Sequence, residues 1–236
     1  MKKQTKSAQS ISGRRGTTVR VKTAKNRKKS SNQWLARQLN DPYVAESKRL
    51  GYRSRAAFKL IQLDEKYKFL GKGKRIVDLG CAPGGWTQIA VLRNKGAGQV
   101  VGLDILETES IDGAVTIQQD FTEPDAADKL KSLLQGEADI VMSDMAANTT
   151  GHQQTDHLRT IHLVELAYEF AKEVLADGGI FIAKVFQGGA EGELLADAKR
   201  NFTKVAHFKP AASRKESPET YLVAMGYKKR LSIGEC

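Results

Sequence analysis

The sequence predicts an α/β domain in which a mostly parallel sheet carries helices on both faces. Three observations lead there. From Gly71 onward, short Val/Ile/Leu-rich runs alternate with helix-compatible stretches. The chain has 236 residues, 40% of them apolar, which suffices for one core but not for two large domains. A glycine-rich turn or a charged residue stands at the end of one run after another, where parallel α/β sheets place their ligand chemistry.

Taken in order, residues 1–30 carry eleven basic residues and no acidic one, with Ser, Thr and Gly throughout. They offer too little apolar surface to offset ordering entropy, so a disordered basic arm is expected. A solubility tail or a transit peptide is the alternative, the latter disfavoured because Lys outnumbers Arg. Residues 31–70 read as a basic helical extension. Trp34, Leu35 and Leu39 suggest a short helix, and Ser54 stands where it can cap a helix over 55–68, in which Ala57, Leu60, Ile61 and Asp64 recur at helical spacing. The core, 71–230, reads as strands at 75–79, 99–103, 114–118, 139–142 and 179–185, with helices at 85–94, 125–134 and 155–175 between them. Two more strands, 204–208 and 220–227, bring the count to seven. Residues 31–236 thus make a single domain, without an internal repeat.

Charge is distributed unevenly. Of the net +11, residues 1–30 contribute +11, residues 31–75 add +7, and 76–236 carry −7. A basic front on an acidic body points to a polyanion, with nucleic acid the leading candidate. Arg37, Lys48, Arg49, Arg53 and Arg55, with the arm, are expected on phosphates, and Tyr43, Tyr52 or Phe58 could stack on a base. Cys81 and Cys236 are the only cysteines, so neither a disulfide framework nor a CxxC metal spacing exists, and a cytoplasmic location is expected. No apolar run approaches a membrane span and no secretory signal is visible.

The run ends carry the chemistry. The first leads into Asp78-Leu79-Gly80-Cys81-Ala82-Pro83-Gly84-Gly85-Trp86, the next three into Asp104, Asp120 and Asp144, and the fifth carries Lys184. The glycines are spaced G-x-x-x-G-G, which is not the dinucleotide fingerprint, and no Walker lysine follows. What remains is a turn a ligand can approach closely, an acid at 104 for two ribose hydroxyls, and an acid at 120 for an adenine amine. That describes an adenosine site without a polyphosphate cradle, which S-adenosylmethionine meets. Cys81 lies inside the turn and is not expected to act as a nucleophile. His152, His157 and His162 are five apart, which does not stack them on one helical face, so no metal is expected.

Five segments then resemble a known family: Ser54-Arg55-Ala56-Ala57-Phe58-Lys59-Leu60, the stretch Val77 to Trp86, Ser143-Asp144-Met145-Ala146, Lys184-Val185-Phe186-Gln187-Gly188, and Ser213-Arg214 to Glu219. Over about residues 31–230 the chain is similar to the FtsJ/RrmJ (RlmE) ribosomal RNA 2′-O-methyltransferases. The resemblance implies a Rossmann-like S-adenosylmethionine-dependent methyltransferase fold, doubly wound, with a seven-stranded sheet whose last strand is antiparallel. It implies S-adenosyl-L-methionine as donor, S-adenosyl-L-homocysteine as product, and a uridine ribose in the A-loop of 23S large-subunit rRNA as acceptor, on assembled or precursor 50S particles. The family's K-D-K-E tetrad falls on Lys59, Asp144, Lys184 and Glu219, and its cofactor contacts on Gly84, Trp86, Asp104, Asp120 and Asp144.

This chain departs from the family in having Ala147-Asn148 where Pro-Asn is common, in lacking an aromatic over 189–192, and in its long basic arm. The first two bear on loop shape and RNA fit, not on reaction type. The expected division of labour has Lys184 at the 2′-hydroxyl, Asp144 orienting Lys184 and holding the sulfonium end, and Lys59 and Glu219 setting substrate geometry. A lysine of ordinary pKa, about 10.4, is already protonated at neutral pH and so a poor proton acceptor there, hence its need to lose charge or have a partner. The alternatives are a methyltransferase of another RNA, such as tRNA, and a ribosome-assembly factor with little catalysis. A monomer is expected.

Overall fold

Alternating strand and helix propensity resolves into seven helices and seven strands among the residues that the computed structural model describes, 29–147, 152–186 and 192–229. All but two residues of the expected arm lie outside them, as do Asn148 and the Gln187-Gly188 end of the fifth-strand motif. In chain order the elements are α1 (Lys29–Leu39), α2 (Pro42–Leu50), α3 (Ala56–Tyr67), β1 (Arg75–Leu79), α4 (Gly85–Asn94), β2 (Gln99–Asp104), β3 (Val115–Gln118), α5 (Ala126–Leu134), β4 (Ala138–Ser143), α6 (Gln153–Val174), β5 (Leu175–Phe186), α7 (Gly192–Asn201), β6 (Phe202–Phe208) and β7 (Glu219–Tyr227).

The strands form one sheet in the order β3-β2-β1-β4-β5-β7-β6. β7 pairs antiparallel with both β5 and β6, while the remaining pairs are parallel. This is the expected Rossmann-like, doubly wound architecture with a reversed last strand. Chain order reverses between β1 and β4, so a crevice opens beyond their carboxyl ends.

Side-chain alternation along each strand builds a core on either face. Ile76, Ile140, Ile182 and Val223 meet Leu60, Leu63, Trp86 and Ile89 from α3 and α4. Val77, Val141, Phe181 and Ala224 meet Leu130, Leu134, Tyr168 and Ala171 from α5 and α6. Strands buried on both sides have to be apolar throughout, which is why their sequence reads as runs rather than as an alternation.

Several boundaries differ from expectation. Ser54 does not cap α3: its Oγ is buried without a hydrogen-bond partner, and the N-cap is Arg55 with no side-chain bond. The reason is steric, since Ser54 packs on Gly85, where an added Cβ would lie 2.3 Å from that Oγ. β5 begins at Leu175, four residues before the expected start, across an irregularity opposite Ala138 and Ile140. α2 and α7 are additional; each buries one residue, Ser47 and Ala198 respectively, so neither leaves an apolar stripe in the sequence. α2 instead follows its local signals, with Asp41 accepting from the Tyr43 N–H, Pro42 in the first turn and left-handed Gly51 at the end.

Candidate active site

Strand register brings the chemistry together. Leu79 pairs with Ser143 and Ser143 with Ala183, so β1, β4 and β5 end side by side, and the Asp144 N–H continues the ladder by donating to the Leu79 carbonyl. Phe186 pairs with Glu219 and Lys184 with Tyr221, so β7 starts at the same end of the sheet. Gly80 follows β1 with φ +78°, and a Cβ there would lie 2.8 Å from the Met145 nitrogen. Only glycine lets the β1 turn and the β4 turn approach this closely.

Lys59, Asp144, Lys184 and Glu219 form one cluster. Lys184 Nζ donates to the Asp144 carbonyl oxygen at 2.6 Å and stands 3.3 Å from Asp144 Oδ1. Lys59, reaching down from α3, lies 2.7 Å from Glu219 Oε1 and 3.9 Å from Asp144 Oδ2. Two ammonium groups and two carboxylates thus balance in a largely buried volume, where an unpaired charge would cost several kcal/mol or more. Burial alone would raise the Asp144 carboxyl, but Lys184, Lys59 and the Tyr221 hydroxyl outweigh it and hold the carboxyl below its usual range. Lys184 has a side chain only 8% exposed and two of its three donors engaged. The third can meet a substrate oxygen at the crevice.

Two residues of this network were not expected. Tyr221 is fully buried, and its hydroxyl stands 2.8 Å from Asp144 Oδ1 and 3.2 Å from Glu219 Oε1. Burial and those two carboxylates push its ionisation well above the ordinary range, so it stays a donor. Ser213 Oγ donates to Glu219 Oε1 at 3.0 Å. An apolar-looking strand interior conceals Tyr221 in the sequence; its parity with Lys184, opposite it on β5, is the signal that could have found it.

The glycine-rich turn and its acids occupy the same end of the sheet. Asp104 holds the turn, accepting from the Ala82 N–H and the Leu106 N–H, each at 2.8 Å. Asp120 accepts from the Thr122 N–H and hydroxyl through Oδ1. Both keep lone pairs for a ligand. Gly84 (φ +102°) packs against Arg53 and Ile111 as the N-cap of α4. Trp86 is 3% exposed, donates to the Ala56 carbonyl and leans on Tyr221 at 5.5 Å, so its ring serves packing while its backbone stands at the helix N-terminus.

Asp78 at the end of β1 is wholly buried; its Oδ2 accepts from Thr87 at 2.6 Å and its Oδ1 has no partner. Burial pushes its carboxyl up to about 7, and the charges of Asp144 and Asp104 add to the rise against the Thr87 hydroxyl. A raised carboxyl stabilises the fold below its unfolded value near 4 and loses that contribution as pH climbs towards 7. In the cofactor-free protein, the stability of Asp78→Asn relative to wild type is therefore expected to improve between pH 4 and pH 8, by up to about 4 kcal/mol. Urea denaturation at both pH values measures it; a pH-independent difference would contradict the assignment.

An orphaned carboxylate oxygen with Asp104 and Asp144 beside it suits a positively charged ligand and repels a phosphate. S-Adenosylmethionine, with a sulfonium and an ammonium, fits that donor set. Cys81 is buried, with burial foremost, then Asp78, pushing its thiol up to about 12, so it is no nucleophile. Among the described residues no group of three or more His, Cys, Asp or Glu could hold a metal, and His157 stacks on Phe186. None of the described helices is long and apolar enough to cross a membrane.

The expected phosphate contacts divide into two groups. Arg53 donates to the carbonyls of Pro83, Glu109 and Ser110, and Arg55 to Asp41 and the Ala212 carbonyl, so both are tethers rather than open cations. Arg49 pairs with Glu46 on an exposed face. Arg37 and Lys48 remain exposed. Tyr43 and Tyr52 pack on buried Phe58.

Comparison with known proteins agrees with this fold. The FtsJ-like methyltransferase family matches residues 52–227. Among curated relatives, Ribosomal RNA large subunit methyltransferase E of Paramagnetospirillum magneticum is 63% identical over 221 residues, covering 92% of this chain and 91% of the relative. The protein of the same name from Azorhizobium caulinodans is 60% identical, covering 89% of each. A crystal structure described as a ribosomal RNA methyltransferase from Plasmodium falciparum is 35% identical, with a TM-score of 0.69, covering 76% of this chain and all of that one. With the matched region spanning the sheet, the turn and all four charged residues of the cluster, the chain belongs to the FtsJ-like methyltransferase family.

Proposed function

We propose that this chain transfers the methyl group of S-adenosylmethionine to the 2′-oxygen of a uridine in the A-loop of large-subunit rRNA, acting as a monomer in the cytoplasm on assembled or precursor 50S particles. The observation that carries the reaction is the Lys184 amine, largely buried in a neutralised Lys–Asp–Lys–Glu cluster at the switch point, with one donor uncommitted. The ribosomal substrate is supported by the names of the relatives and by the basic front of the chain.

S-Adenosylmethionine, when bound, supplies a methyl group already activated on a positively charged sulfur. Gly84 and the Trp86 backbone would hold its amino-acid end, Asp104 its ribose, Asp120 its adenine, and Asp144 its cationic end. The chain itself has to place one oxygen in line and manage one proton. In-line placement alone is worth about 7–11 kcal/mol. Lys184 donates to the 2′-oxygen and so fixes the direction of the hydroxyl, whose proton points away from the reacting lone pair and is released to solvent as the oxygen is methylated. Asp144, kept ionised, holds Lys184 from two atoms at once. Tyr221, kept protonated, stays a donor to Asp144 and cannot take the proton. Lys59 and Glu219 neutralise one another and close the ribose side of the crevice.

Transfer of tritium from labelled donor to precursor large-subunit particles, to free rRNA and to tRNA tests the reading. Label is expected in the particle RNA. Tight particle binding without transfer would support the assembly-factor alternative, and label in tRNA the other-RNA alternative. Deleting residues 1–30 is expected to weaken RNA binding and flatten its salt dependence, each lost phosphate contact removing about 0.7–0.9 from the log–log slope, with donor affinity unchanged. Filter binding across a salt series measures it, and an unchanged slope would take the arm out of RNA binding.

A further inference from the structure

The two faces of the sheet are covered unequally at the β6 edge. On one face α7 packs against β6. On the other, α3 is the nearest helix, and its last turn stands beside β6 rather than over it: Tyr67 meets Phe208 edge-on at 6.0 Å. Lys204, Ala206 and Phe208 share that face with Met225, Val223 and Tyr221, their register partners on β7. The result is a trough with α3 as one wall and the outermost strand as floor, small at its centre where Ala206 lies.

Cations interleave with the rings. Lys66 Nζ stands 4.2 Å from the Phe208 ring centroid and 5.4 Å from that of Tyr67, and Lys204 Nζ 5.6 Å from that of Tyr67. Both lysines are exposed, and among the described residues neither has a carboxylate partner. Of the described lysines that stand over an aromatic ring, Lys59 and Lys172 are paired with carboxylates, whereas Lys66 and Lys204 are not. A lysine on an edge strand also discourages strand addition, but that role requires neither Lys66 nor the half-buried rings. The upper end of the trough is Phe208, which pairs with Tyr221 of the catalytic network. Beyond Phe208 the chain docks on α3, where the Ala212 N–H donates to Gln62 Oε1 and the Ala212 carbonyl accepts from Arg55, so this segment stands between the trough and the crevice.

We infer that this α3–β6 trough holds single-stranded RNA of the substrate outside the crevice, with phosphates on Lys66 and Lys204 and a base against the edges of Tyr67 and Phe208. Open cations beside aromatic rings are the elements by which proteins track single strands without reading sequence. The inference rests on the reading that the acceptor is RNA and goes beyond it in naming the path of the strand.

The test uses the full chain and large-subunit particles. Lys66→Glu/Lys204→Glu is expected to raise KM for the particle about tenfold, leave kcat and donor affinity unchanged, and reduce the log–log salt slope by about 1.4, for two contacts of roughly 0.7 each. Lys66→Gln/Lys204→Gln gives a milder shift in the same direction and guards against misfolding of the charge-reversed protein. Lys129→Glu/Lys131→Glu, on the opposite face, should leave both quantities near wild type. A photo-cross-linker at position 204 is expected to join RNA. An unchanged slope, an equal effect from the control pair, or cross-linking to a ribosomal protein would overturn the inference while leaving the methylation reading intact. Absence of transfer to RNA by the wild type would overturn that reading itself.

Discussion

Lys184→Ala is expected to lower the rate of methyl transfer by about 10²- to 10⁴-fold, the range over which a positioned proton-handling group contributes. Donor affinity should stay within a few-fold, because Gly84, Trp86, Asp104 and Asp120, placed around the donor, have no contact with Lys184, and Asp144, which does, keeps its carboxylate. Folding should survive, since the alanine removes a charge that Asp144 balances but leaves Lys59 beside the remaining carboxylates. Single-turnover kinetics with saturating donor separate the chemical step from binding. A variant that is folded, binds donor and turns over at near wild-type rate would remove Lys184 from the mechanism.

Asp144→Asn has the second-largest expected effect, and a double one. Its carboxylate faces Lys184, Lys59 and the Tyr221 hydroxyl, so the amide leaves Lys59 with Glu219 alone and the largely buried Lys184 with no carboxylate partner. Loss of activity of the same order as for Lys184→Ala is expected, together with a stability loss in the range of about 3–5 kcal/mol seen when one partner of a buried pair is removed. Unlike Lys184→Ala it should also weaken donor binding, because Asp144 supplies negative charge to the cationic end. The pH dependence has a definite sign. A carboxyl held below its usual range stabilises the fold at neutral pH and loses that contribution as pH falls through its folded value. The wild type should therefore lose its advantage over Asp144→Asn on acidification, read by urea denaturation between neutral and acid pH. A constant difference would mean that the ion pairs do not stabilise the fold.

Much of this was legible in the residues. Each parallel strand buried on both faces announces itself as an apolar run, and its carboxyl end is where a charged residue can face the crevice and find a partner on the next strand. That is why Asp104, Asp120, Asp144 and Lys184 could be placed from spacing. Lys59 and Glu219 could not; each alone reads as a surface charge, and only the family resemblance joined them. Tyr221 was missed because a tyrosine in an apolar strand reads as packing, and it does pack, with Trp86, while its hydroxyl does the polar work. Arg53 and Arg55 were expected on RNA but bind backbone carbonyls and Asp41, because composition counts a charge and cannot tell whether a distant loop consumes it. Ser54 had every local mark of an N-cap and lost to a tertiary contact with Gly85.

The central claim is that the crevice directs a methyl group to a ribose oxygen. A 2′-O-methyl group blocks the hydroxyl through which alkali cleaves RNA, so the position of the label after alkaline hydrolysis reports the atom modified. With large-subunit particles labelled from a tritiated donor, the account predicts label in an alkali-resistant dinucleotide whose 5′ nucleoside is uridine, and none with Lys184→Ala. Label recovered in ordinary mononucleotides, as base methylation would give, would contradict it.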